Sequence, residues 1–182
     1  IPEETITVFP LLKFEFESEV EVLCKLAYEE ACEVTLNGET VPVVKDGYFT
    51  DKAIHTMPLP ALKKGRNELL VKAPIGKRVS LENYFLLGDF GVRVTGCEAV
   101  ITKKPEKLAF GSVVSQGLPF YGANITYKLP LDVTSDGELV IRSELYRGAL
   151  IGARLDGKEV GHIVFSPYIL KIPDVKKGAH TL

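Results

Sequence analysis

A chain of 182 residues of which 46% are hydrophobic is large enough to bury a real core, as one big domain or two small ones. Lysine and arginine number 22 against 24 aspartates and glutamates, a formal charge of −2, which argues against a surface built to track nucleic-acid phosphates. No apolar run is long enough to cross a bilayer as a helix, and the N-terminus lacks the charged-then-apolar order of a secretory leader.

Short alternating segments rich in Val, Ile, Leu, Tyr and Phe recur between Gly, Pro, Asn and Asp, and helical periodicity is scarce. In chain order the pattern predicts strands at Thr5–Phe9, Lys13–Phe16, Glu19–Ala27, Cys32–Leu36, Glu39–Val44, Glu68–Lys72, Gly91–Val94, Glu98–Lys103, Asn124–Leu129, Glu138–Leu145, Gly152–Leu155, Lys158–Val164 and Tyr168–Ile172. The inventory is all-β. Leu36-Asn37-Gly38-Glu39 and Leu155-Asp156-Gly157-Lys158 each place an Asx-Gly pair between apolar flanks, the composition of a two-residue type I′ hairpin turn.

These two turns lie 119 residues apart, and at that offset Glu138 falls on Glu19, Leu139 on Val20 and Ile141 on Val22. Ile172-Pro173-Asp174-Val175-Lys176-Lys177-Gly178 matches Leu59-Pro60-Ala61-Leu62-Lys63-Lys64-Gly65 at an offset of 113. One supersecondary unit is used twice, with a loop six residues shorter in the second copy. The charged segment Lys103-Lys104-Pro105-Glu106-Lys107 is the expected linker, giving a first module over 1–103 and a second over 104–182. The second module is expected to be incomplete. Ile1 is not an initiator Met and the chain stops within a strand-like pattern, so a longer parent polypeptide is expected.

Cys24, Cys32 and Cys97 form no CxxC pair, which speaks against a disulfide framework or a zinc site, although a Cys24–Cys32 bridge stays open. The odd count mildly favours a reducing, cytoplasmic compartment.

The strand ending Val34-Thr35-Leu36-Asn37-Gly38, an aromatic loop, and Leu62-Lys63-Lys64-Gly65-Arg66-Asn67-Glu68-Leu69 together resemble the sugar-binding-type, galactose-binding-like β-sandwich domains of family 2 glycoside hydrolases. Ala153-Arg154-Leu155-Asp156-Gly157-Lys158-Glu159-Val160 repeats the first part. The stretches Leu81–Val92 and Gly117–Tyr121 further resemble accessory regions of large bacterial glycosidases of the α-L-rhamnosidase-like kind. The resemblance implies two tandem jelly-roll sandwiches that flank a catalytic domain outside this sequence, act as structural supports, and in some families bind sugar. The lack of tryptophan departs from the usual sugar-stacking site and puts direct glycan binding in doubt.

Glycoside hydrolysis needs two carboxylates, one of them protonated. Glu15, Glu17, Glu19 and Glu21 alternate and read as one solvated face. Glu82 and Asp89 sit in an aromatic stretch where burial would raise a carboxyl pKa, though turn capping is the commoner role for such acids. His55, His162 and His180 are not spaced as a metal set, and neither a serine elbow nor a phosphate loop is present. Sugar recognition needs an aromatic plate beside polar groups. The candidates for such a carbohydrate site are Tyr48, Phe49 and Asp51 in the first loop, Tyr84 and Asp89 in the middle stretch, Phe120, Tyr121 and Asn124 before the second unit, and Phe165 and Tyr168 in the second loop. For each set, packing of loop aromatics against a sandwich end or a neighbouring domain is the commoner role. The expectation is a non-catalytic accessory module with no cofactor, whose partners are a parent catalytic domain and a glycan rather than nucleic acid or membrane. A free carbohydrate-binding module is the alternative, and a free-standing hydrolase ranks third.

Overall fold

A computed structural model describes residues 8–76 and 83–182. Among these the secondary structure is β-strand throughout, apart from one 3-10 turn at Val114–Gln116. The chain divides into two compact units, Ile1–Gly122 and Ala123–Leu182. The division falls after Gly122, not at the charged Lys103–Lys107 segment. The Val92 amide donates to the Gly117 carbonyl at 2.7 Å, which ties the stretch after residue 104 to the first unit.

The first unit holds β1 (Leu11–Ser18), β2 (Val22–Tyr28), β3 (Glu33–Leu36), β4 (Glu39–Val41), β5 (Tyr48–Phe49), β6 (Asp51–Leu62), β7 (Gly65–Lys72), β8 (Phe85–Gly88), β9 (Phe90–Thr95) and β10 (Glu98–Lys103). They form a six-stranded sheet ordered β4-β3-β7-β1-β10-β9 and a four-stranded sheet ordered β5-β6-β2-β8. Alternation sends every second side chain inward: Asn67, Leu69 and Val71 on β7, and Cys24, Leu26 and Tyr28 on β2. One cluster joins Val34, Leu36, Leu69, Val71 and Ile101 of the larger sheet to Cys24, Leu26, Tyr28, Met57, Leu59 and Leu62 of the smaller, so the unit is a β-sandwich. The outward positions mix charged side chains with exposed apolar ones such as Leu11 and Leu23. Glu15, Glu17, Glu19 and Glu21 are all exposed, as the alternation required, with Glu15 bridged to Lys13 and Arg66 and Glu19 to Arg93.

Three of these strands are absent from the sequence reading. β6 contains Pro58 and Pro60, which have no amide to give a ladder; β5 borders only its first residues, so both rings lie where β2 alone needs ladder bonds. β5 and β8 are two and four residues long and too short to show a period. Of the first expected strand, Thr5–Phe9, residues 5–7 lie outside the described residues, and Val8 forms an isolated bridge with Ile75.

The second unit holds β11 (Pro130–Val133), β12 (Gly137–Arg142), β13 (Ile151–Leu155), β14 (Lys158–Ile163), β15 (Ile169–Val175) and β16 (Gly178–Thr181), paired antiparallel as β11-β16, β12-β15 and β13-β14. The strand expected over Asn124–Leu129 does not form; Leu129 exchanges both backbone bonds with Leu182. Ala153, Ile163, Ile172 and Val175 are the buried apolar residues of this smaller core.

Register confirms the repeat and corrects its alignment. Both Asx-Gly turns take two successive positive φ values, 52° and 84° at Asn37-Gly38 and 50° and 80° at Asp156-Gly157, the type I′ signature. Leu139 pairs with Ile172, and Cys24 with Leu59, each just past a bulge in the same ladder. Likewise Val133 pairs with Gly178 where Ser18 pairs with Gly65. The first two strands therefore repeat at 115, so Leu139 corresponds to Cys24 and not to Val20, and Ile141 to Leu26. The offset reaches 119 only at the hairpin because the loop from β12 to β13 is longer than that from β2 to β3. β11, β12, β13, β14, β15 and β16 thus answer to β1, β2, β3, β4, β6 and β7.

Candidate functional site

An exposed aromatic residue of the first unit, Tyr48, lies on the edge strand β5 of the four-stranded sheet. The two-residue strand β5 puts Tyr48 directly across from His55 on β6, and Tyr28 on β2 faces the same histidine from the other side. The Tyr28 and His55 rings meet edge to face at 6.1 Å. Phe49 packs on Phe85 at 5.4 Å between ring centroids. A tight turn with Thr50 at φ 60° carries the chain from β5 into β6. Tyr48 itself is 61% exposed. Asp51 opens β6, and Asp46, two residues before Tyr48, pairs with Lys25 at 2.6 Å.

The carboxylate of Asp51 is partly committed: Oδ1 accepts the Ala53 amide at 2.8 Å, which caps the turn. The Tyr28 hydroxyl donates to the Val44 carbonyl at 3.0 Å, and burial, with Glu30 adding, holds its pKa above the ordinary tyrosine value. An exposed aromatic ring can stack on an apolar face, and a carboxylate can accept hydroxyl hydrogen bonds. The site presents no nucleophile paired with a base.

The other sequence candidates are scattered. Tyr84 packs on Phe14 at 5.8 Å and donates its hydroxyl to the Glu30 carbonyl at 3.0 Å, which makes it a strut between β-layer and loop. Asp89 is exposed and ion-paired with Lys104, so the burial that would have made it a general acid is not found. Glu82 lies outside the described residues. Phe120, Tyr121 and Asn124 are exposed and lie in the irregular stretch between the strands of the two units. Tyr168, at φ 57° after a cis Ser166-Pro167 bond, meets Tyr146 edge to face at 5.5 Å. Phe165 is 82% exposed.

That second pair restates the first. The Tyr146 hydroxyl donates to the Ile163 carbonyl at 3.3 Å, and Ile163 lies 119 residues after Val44, while Tyr168 lies 113 after His55. Each unit thus ties a tyrosine hydroxyl to a carbonyl beyond its hairpin, Val44 past the end of β4 and Ile163 at the end of β14. Tyr28, Tyr146 and His55 are not among the aromatic candidates of the sequence; the 113-residue offset relates His55 to Tyr168, whereas Tyr28 and Tyr146 lie 118 apart and fall on neither offset.

Among the described residues no group of three or more His, Cys, Asp and Glu side chains is placed to hold a metal ion. Cys24, Cys32 and Cys97 are free thiols, with Cys24 buried, so the Cys24–Cys32 bridge does not form. Fold and site together define an all-β protein with a sandwich and a surface aromatic cluster. No protein-family model matches the chain, and no curated protein or solved structure does.

Proposed function

We propose that this chain is a non-catalytic pair of β-sandwich-type modules that supports a partner domain, most naturally the catalytic domain of a glycoside hydrolase. The observation that carries the supporting role is the apolar surface of the second unit. Leu145 is 87% and Phe165 82% exposed, and both flank the Tyr146–Tyr168 pair. Val140 and Leu150 are also exposed, and Ile141 is only half-buried where its counterpart Leu26 is fully buried. Apolar side chains left at a surface in this number suit packing against another domain. The glycosidase context rests on the Leu-Asn-Gly hairpin, the Leu-Lys-Lys-Gly turn and their repetition.

The test pairs two measurements on the whole chain. Leu145→Ser with Phe165→Ser lowers binding of an apolar-surface dye severalfold and leaves the unfolding temperature unchanged; a large loss of stability would mean these residues belong to the core and would overturn the docking role. Turnover of aryl-glycosides stays at the spontaneous rate; turnover abolished by Asp89→Asn would establish a hydrolase instead.

The exposed Tyr48 ring supports a second reading, glycan binding by the first unit. Titration with monosaccharides followed by tyrosine fluorescence would show saturable binding that Tyr48→Ala removes; absence of any saturable signal would reject it.

A further inference from the structure

Each Asx-Gly turn is fastened to the lysine-rich turn ahead of the return strand through one bridging side chain, and the two units do this with different chemistry. In the first unit Asn37 exchanges backbone and side-chain bonds with Glu68: its amide donates to the Glu68 carbonyl at 2.8 Å and its Oδ1 accepts the Glu68 amide at 3.0 Å. Its Nδ2 donates to Asn67 Oδ1 at 3.0 Å, and Asn67 Nδ2 donates to the Lys63 carbonyl at 2.8 Å.

In the second unit Asp156 makes the same two contacts with Thr181, at 2.8 and 2.9 Å. The bridging place, 113 residues after Asn67, belongs to His180. Its Nδ1 lies 2.7 Å from Asp156 Oδ2 and its Nε2 2.8 Å from the carbonyl of Lys176, the counterpart of Lys63. A carboxylate and a carbonyl can only accept, and a neutral imidazole has one N–H to give. Only the imidazolium satisfies both at once.

We propose that the second unit carries a protonation latch, in which the His180 imidazolium clamps the Asp156-Gly157 hairpin to the Lys176–Gly178 turn and release of its proton loosens β13–β14 from β16. The first unit, bridged by amides, has no such response. The charged groups around the latch are few. Asp156 and Lys158 come from the hairpin, and the Lys176 ammonium is engaged by Asp136 at 2.9 Å. The cross-strand neighbour on β11 is Leu131, which does not titrate.

The hydrogen bond to Asp156, then that to Lys176, raises the His180 pKa above its ordinary 6.5. Its contribution is complete below 6.5 and disappears as pH climbs through the raised value. Asp156, held below its ordinary 3.8 by His180 first and the Thr181 amide second, contributes above 3.8 and ceases to as pH falls through the lowered value. The clamp is fully engaged between these limits.

Amide hydrogen exchange and proton NMR on the intact chain test the latch. The His180 ring titrates above 6.5, and the protection factor of the Thr181 amide drops about fivefold on passing from below to above that midpoint, the effect of one net hydrogen bond, while that of Glu68 holds. Asp156→Asn combined with His180→Asn, which copies the first unit, abolishes the drop. A His180 midpoint at or below 6.5, or equal changes at Thr181 and Glu68, overturns the proposal. Should the double variant fail to fold, the wild-type titration and the Thr181-to-Glu68 ratio still separate a latch from its absence.

Discussion

Removing the buried amide of Asn67 should be among the most damaging single changes available in the first unit. The side chain is fully buried and makes four hydrogen bonds. Oδ1 accepts from the Lys63 amide at 2.9 Å and from Asn37 Nδ2 at 3.0 Å, and Nδ2 donates to the carbonyls of Lys63 at 2.8 Å and Gly65 at 3.0 Å. Asn67→Ala orphans these backbone groups at a part-buried turn, where each unsatisfied polar group costs about 1–3 kcal/mol. Taking the lower bound, because water can reach a turn, the loss is about 3 kcal/mol. A shift in midpoint of about 12 °C or more follows for a domain of this size. Asn67→Asp is isosteric but sets a carboxylate against two carbonyl oxygens, so it should be no milder. Urea unfolding followed by exchange of amides on β2, β3 and β7 isolates the first unit from the second. A loss under about 1 kcal/mol in both variants would refute the reasoning, since it would mean that water replaces the amide at no cost.

The thiols should separate by burial. The Cys24 thiol is pushed up to about 11 by desolvation and is buried, whereas Cys32 and Cys97 are exposed. A thiol reagent at neutral to mildly basic pH should therefore modify Cys32 and Cys97 at once and Cys24 only on unfolding; rapid modification of all three in the native protein would contradict the packing of β2. Truncation of matched core positions should also differ between the units. Leu26→Ala is expected to cost about 2–5 kcal/mol, and Ile141→Ala at the equivalent position clearly less, because Ile141 is half-buried. Equal losses in denaturant titrations would show that the second core is as tightly packed as the first.

Much of the architecture is written locally. The Asn37-Gly38 and Asp156-Gly157 pairs demand positive φ at two successive residues, and only such pairs adopt it cheaply, so both hairpins and their 119-residue separation can be read directly. The alternating glutamates at 15, 17, 19 and 21, in β1 and just after it, declare a solvated face for the same local reason. What local pattern hides is pairing. β6 looks like a loop because of Pro58 and Pro60, until β2 is seen to supply its ladder on one side alone. The alignment of Leu139 with Val20 follows residue identity, whereas the bulged ladder pairs Leu139 as it pairs Cys24.

The candidate site divides in the same way. Tyr48 and Phe49 are legible as loop aromatics, and the fold supplied their partners, His55 across the ladder from Tyr48 and Phe85 against the Phe49 ring. Asp89 was chosen for its apolar sequence neighbours, but burial is set in three dimensions, and there it pairs with Lys104 at the surface. An all-β chain, two like turns and the unit repeated around them follow from local preference, because each depends on a residue's own backbone conformation and on side-chain alternation. That Asn67 and His180 bridge those turns follows from the assembled fold, because hydrogen bonds between residues 30 and 24 positions apart exist once separate strands have been brought into register.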